Sequence, residues 1–174
     1  MSTRRKLLWA GGLLFVAIAV FVLVWFQPQK LFIEKTVDEA PPSTRGSPIE
    51  TAEAGPTEAP AARVLARGPF RRLEHPTTGT AQLLELGDGR RFLRFEDLDT
   101  SNGPDLRVYL SEIPASDDWH AYGEQYVDLG ALKGNRGDQN YEIPPGVDLA
   151  RYESAVIWCR RFTVGFGVAP LVRT

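Results

Sequence analysis

Few side chains in this chain have chemistry of their own. Cys159 is the single cysteine in 174 residues, so no disulfide can form within the chain. A lone cysteine in an exported domain is buried and inert, paired with another chain, or chemically used. Trp158 precedes it, and Arg160 and Arg161 follow. Cations favour a thiolate and apolar surroundings disfavour it, so the neighbours pull in opposite directions. The commonest fate of a free cysteine is that of a small buried hydrophobe. A tryptophan is a core residue by default, although one beside a thiol could also tune its redox chemistry.

Other constellations fail on inspection. Covalent haem needs Cys-x-x-Cys-His, and the sequence around Cys159 offers nothing like it. The only histidines are His75, before Pro76, and His120, after Asp117-Asp118-Trp119. Both read as surface loop residues. The run from Glu96 to Asn102 begins like a calcium loop, but Asn102 stands where glycine is required and Val108 where the bidentate glutamate belongs. A looser calcium site on Asp97, Asp99 and Asp105 competes with a solvated acidic loop, and no metal site is expected. There is no nucleophile elbow, His-Glu-x-x-His or phosphate loop, so no catalytic constellation of an enzyme is recognisable.

Three segments must position whatever Cys159 does. Leu7 to Phe26 is 20 residues without a charge. At about 1.5 Å per residue such a helix spans about 30 Å, the depth of a bilayer's hydrocarbon core. Trp9 sits near one end, Trp25 and Phe26 at the other, and Arg4, Arg5 and Lys6 precede it. That pattern predicts a single crossing with residues 1–6 cytoplasmic and the remainder outside the cytoplasm. The stretch is longer than a signal peptide's apolar region, and no small-x-small site closes it. An uncleaved anchor in the cell membrane is therefore expected, with the lipid bilayer as partner of residues 7–26.

Residues 27–63 read as a flexible linker. From Val37 to Arg63 there are five Pro, six Ala and two Gly, with no aromatic residue. Such a segment buries too little apolar surface to offset its ordering entropy.

Residues 64–174 read as the folded domain. From Val64 onward, 13 Lys and Arg stand against 16 Asp and Glu, a net charge of −3. Nucleic-acid binding needs a cationic surplus, so that class is set aside. Thr80–Leu86 and Arg91–Glu96 flank Gly87-Asp88-Gly89-Arg90, a hairpin signature. Leu106 to Ser111 alternates, with Leu106, Val108 and Leu110 on the apolar side. Gln125–Leu129 and Asn140–Ile143 are shorter strands, and Asp148–Tyr152 suits one helical turn. Ser154 to Phe166 reads as one long strand with Val156, Trp158, Phe162, Val164 and Phe166 on its core face, and Cys159 on the other with Ala155 and Ile157. Many short strands with Gly and Pro turns predict an all-β fold, an antiparallel β-sandwich or jelly-roll-like domain behind a single N-terminal transmembrane helix.

Three stretches together resemble the DM-thirteen domain, a family labelled for electron transfer. They are Asn102-Gly103-Pro104-Asp105-Leu106 running on to Ser111, Asp128-Leu129-Gly130 running on to Pro144, and Tyr152 to Leu171 around Trp158-Cys159. The resemblance covers about residues 68–171. It implies a β-sandwich-like extracytoplasmic module, and it matches Cys159 to the family's characteristic cysteine. That cysteine would serve as a redox centre, either as a bare thiol or where a cofactor attaches. On this basis Cys159 is the candidate redox centre, and Cys159 with Trp158 the candidate cofactor contacts. The cofactor's identity is unknown, and any redox partner must come from another extracytoplasmic protein. The alternative is a non-catalytic binding or adhesion module in which Cys159 is packing.

Overall fold

Alternation of apolar and polar residues, broken by turn residues at close intervals, divides the C-terminal region into short strands that stack as two sheets. The computed structural model describes residues 3–26, 34–43 and 62–174. One sheet has six strands: β1 (Thr36–Asp38), β8 (Arg136–Ile143), β5 (Arg91–Thr100), β4 (Thr77–Glu85), β2 (Arg63–Pro69) and β11 (Val172–Arg173), in that spatial order. The other has five: β3 (Arg71–Arg72), β10 (Val164–Pro170), β9 (Ser154–Cys159), β6 (Leu106–Ser111) and β7 (Tyr126–Ala131). The pairings are antiparallel except β1 with β8, which is parallel. The architecture is a two-sheet, mostly β sandwich.

The main core lies between the sheets. Leu83, Leu93, Phe95 and Tyr141 come from one side, and Val108, Leu110, Ile157 and Phe166 from the other. A second, smaller core covers the outer face of the five-stranded sheet. There Tyr109, Val156, Trp158 and Val168 pack against Tyr122 from the connection between β6 and β7. The middle strands of this sheet are therefore covered on both faces: every residue of β9 is buried, as is all of β10 but Pro170.

The hairpin read at Gly87–Arg90 joins β4 and β5, with Gly89 at φ +83° as a tight turn requires. Asp148 caps a single 3-10 turn at Leu149–Arg151 by accepting from the Ala150 amide. Two expectations are corrected. Ser154 to Phe166 is not one strand but the hairpin β9–β10, turning over Arg160–Thr163, with Thr163 at φ 54°. The turn puts Phe162 at 49 % exposure instead of on a core face. The faces are also exchanged. Ala155, Ile157 and Cys159 point into the main core, while Val156 and Trp158 point into the smaller one.

The linker expectation is corrected in part as well. Residues 34–43 lie along β8, with Thr36, Val37 and Asp38 in register with Arg136, Gly137 and Asp138. The apolar N-terminal stretch forms helix α1, Thr3–Phe26. Among the described residues no helix is long and apolar enough to cross a membrane. A crossing over Leu7–Phe26 thus rests on the sequence.

Candidate functional site

Cys159 is the last residue of β9, in register with Leu106 of β6 and Val164 of β10. Its exposure is 0 %, and its side chain belongs to the core between the sheets. The strand end is closed just beyond it. The Arg160 amide donates to the Asp105 carbonyl at 3.0 Å. The Arg160 guanidinium donates from Nε to the Asp105 carboxylate at 2.8 Å, and this carboxylate raises the Arg160 pKa above its ordinary value. Of the two arginines expected to influence the thiol, Arg160 is committed to Asp105, outside the core. A disulfide or thiol reagent cannot approach Sγ without parting β9 from a neighbour.

Trp158 faces the opposite way because consecutive strand residues alternate. It forms part of the floor of a cleft of about 390 Å3, lined also by Tyr109, His120, Tyr126 and Arg160. Tyr109 lies 6.3 Å from Trp158, centroid to centroid, and stacks on Tyr126 at 3.9 Å with 10° between planes. Tyr126 is 39 % exposed, whereas Tyr109 is 1 % and Trp158 4 % exposed. Three aromatic rings thus lead from the residue beside the thiol to the surface. Burial, and then the Tyr126 hydroxyl, push the Tyr109 phenol well above its ordinary pKa, so it stays protonated. Sequence reasoning missed Tyr109 and Tyr126 as partners of Trp158. The alternation in β6, which put Tyr109 opposite Leu110, was the available signal.

The other candidates are placed elsewhere. His120 is exposed, with Nδ1 3.2 Å from the Thr163 carbonyl oxygen, on the rim of the same cleft. His75 is half-buried, with its ring 3.9 Å from that of Phe166, and burial lowers its pKa from 6.5. Asp97 and Asp99 lie in β5 and not in a loop. Asp99 pairs with Arg136 at 3.3 Å and Asp105 with Arg160 at 2.8 Å, so the looser calcium site does not assemble. Among the described residues there is no group of three or more His, Cys, Asp or Glu placed to hold a metal ion.

The motif stretches around Asn102–Leu106 and Leu132–Asn135 converge on a second cleft, of about 450 Å3, at one end of the sandwich. Leu106, which also lines it, is the register partner of Cys159. Neither this cleft nor the aromatic one has Cys159 in its wall. A prosthetic group bonded to Sγ needs free volume beside the sulfur, and the packed core offers none there. The thiol therefore fits the bare form, and covalent attachment of a cofactor at Cys159 does not fit.

No curated protein and no solved structure matches the chain. Residues 69–171, more than half of the chain and all of β9 and its aromatic neighbours, match the family model described as Electron transfer DM13, and the chain belongs to that family.

Proposed function

We propose that this protein is a membrane-anchored, extracytoplasmic electron-transfer module whose internal redox groups are the Cys159 thiol and the rings of Trp158, Tyr109 and Tyr126. The family match over residues 69–171 carries the reading. The stacked rings support it, because they offer a route to a thiol that reagents cannot reach. A one-electron acceptor protein docked at Tyr126 would withdraw one electron through the rings. The thiol would give that electron to the acceptor by way of the rings and its proton to water admitted at the Asp105–Arg160 end of β9, leaving a sulfur-centred radical, and a one-electron donor with a proton returned from water would reverse the step. Two-electron disulfide chemistry does not suit a single cysteine sealed inside a strand.

Anchoring is supported by the uncharged stretch from Leu7 to Phe26, helical in α1. Leu13, Phe15, Ile18, Phe21 and Val24 stand exposed, so apolar residues face outward around the helix. Retention of the full chain in membranes after carbonate extraction tests this part, and recovery in the supernatant would sink it.

The 0 % exposure of Cys159 favours a second reading, a non-catalytic binding or adhesion module with the cysteine as packing. One experiment separates the two. Photo-oxidation of the full chain in detergent by a diffusible one-electron oxidant should give an aromatic radical visible by electron paramagnetic resonance. Electron transfer involving the thiol predicts a radical that decays faster in wild type than in Cys159→Ala. Identical decay in both would leave the packing reading.

A further inference from the structure

The edge of β8 is built to receive a particular peptide. Gly134 and Gly137 leave gaps there: a Cβ at Gly134 would stand 2.4 Å from the Lys35 carbonyl oxygen, and one at Gly137 would stand 2.3 Å from that of Val37. Three cations surround the gaps. Lys133 Nζ grips the Glu39 carboxylate at 2.7 and 2.9 Å, while the Asn140 amide donates to the same carboxylate at 2.8 Å. Arg136 pairs with Glu34 at 2.7 Å. Buried Arg94 donates to the Glu39 carbonyl at 3.0 Å. The receiving residues lie within the family match, whereas the received segment lies outside it.

We propose that the β8 edge is a binding site for an extended acidic peptide, with carboxylates five residues apart, and that residues 34–43 of the same chain are its ligand. Binding is by strand addition: main-chain bonds give affinity, and the Lys133 and Arg136 contacts select the acidic side chains. The bound segment covers a sheet edge that would otherwise invite pairing with another chain. It also acts as a clasp. With the clasp bound, only residues 27–33 of the sequence separate α1 from the domain. Seven extended residues reach at most about 25 Å, so an anchored domain sits close to the bilayer instead of at the end of a long linker. That last consequence rests on the anchored reading, and the clasp itself does not.

The test uses the full chain in detergent with hydrogen exchange read by mass spectrometry. In Gly134→Ala the three nearest atoms to the new Cβ all belong to the clasp, so the clasp is struck and the sandwich spared. Residues 34–43 should be protected in wild type and exchange about tenfold or more faster in this variant, while β4 and β5 keep their protection. Glu39→Lys should have the same effect, and pairing it with Lys133→Glu should restore part of the protection. Carbodiimide coupling of Glu39 to Lys133 in a mixture of 14N- and 15N-labelled protein should yield links within one isotope only. Unprotected residues 34–43 in wild type, or no change in Gly134→Ala, would overturn the proposal. Mixed-isotope links would replace the cis ligand with a second copy of the chain. Each readout is the same whether or not α1 enters a bilayer.

Discussion

Replacing Cys159 by alanine and by serine measures how dry the thiol is. The side chain has 0 % exposure and lies in the core with Leu106, Ile157 and Phe166. Alanine removes one sulfur, worth roughly the ~0.8 kcal/mol of a buried methylene. The residual void adds about 24 cal/mol per Å3, or ~0.5 kcal/mol for some 20 Å3. The expected loss is therefore about 1–1.5 kcal/mol. Serine keeps nearly the same volume but brings a hydroxyl into apolar surroundings, which costs about 1–3 kcal/mol when no partner compensates. Serine also forfeits part of the sulfur's dispersion contacts, so its total should be about 2–3 kcal/mol, greater than that of alanine. Urea unfolding followed by tryptophan fluorescence gives both values, provided the slope of the transition is unchanged. In parallel, the native thiol should not react with an aromatic disulfide reagent until urea unfolds the domain. Serine costing less than alanine, or prompt reaction of the folded protein, would refute the placement of Cys159 in the main core.

Arg94 is 3 % exposed and donates to Glu96 at 2.9 Å, Asp138 at 2.5 Å and Asn140 at 2.9 Å. Arg94→Ala would leave two half-exposed carboxylates facing each other without their cation, so a loss of about 2–4 kcal/mol is expected in denaturant unfolding. Gly68→Ala would put a Cβ 1.9 Å from the Pro170 carbonyl oxygen, forcing the backbone of β2 from that of β10. It should cost at least about 3 kcal/mol or abolish folded expression, as judged by circular dichroism. Burial depresses the pKa of folded His75 below 6.5, so the unfolded chain takes up this proton first as pH falls. Its contribution to stability is complete above 6.5 and is lost as pH drops from there through the folded value. The melting temperature of His75→Gln should accordingly fall less steeply with acidification than that of wild type.

What could be read without a structure was whatever a local rule decides. Gly87-Asp88-Gly89-Arg90 specified a hairpin because positive φ at Gly89 is free of steric cost. Leu106, Val108 and Leu110 specified the inward face of β6 because three apolar residues alternate. β9 defeated the same rule. Its six residues are all buried, so polarity carries no face information, and size misleads because Trp158, the largest of them, faces the smaller core. The turn after Cys159 was hidden for another reason. Arg160-Arg161-Phe162-Thr163 has no Gly, Asn or Pro, and Thr163 adopts a positive φ that a β-branched residue rarely takes. Residues 34–43 looked like linker because their order comes from the edge they lie on. Gly134, Lys133 and Arg94 supply it from far along the chain.

The reversal of β9 alters the chemistry that the proposed function allows. Had Cys159 shared the outer face with the aromatic cleft, atoms could have reached it, and thiol exchange or a bonded cofactor would both have been open. Trp158 holds that position instead, and the sheet itself lies between the cleft and the sulfur. On the proposed function an electron, not a ligand, would cross that one residue of backbone, and the proton that accompanies oxidation would leave by a separate path. The Asp105–Arg160 pair closes that end of the strand. Under the proposed function, Asp105→Asn should therefore loosen the seal and speed decay of the aromatic radical without shifting the radical's spectrum. An unchanged decay would put the proton's exit elsewhere.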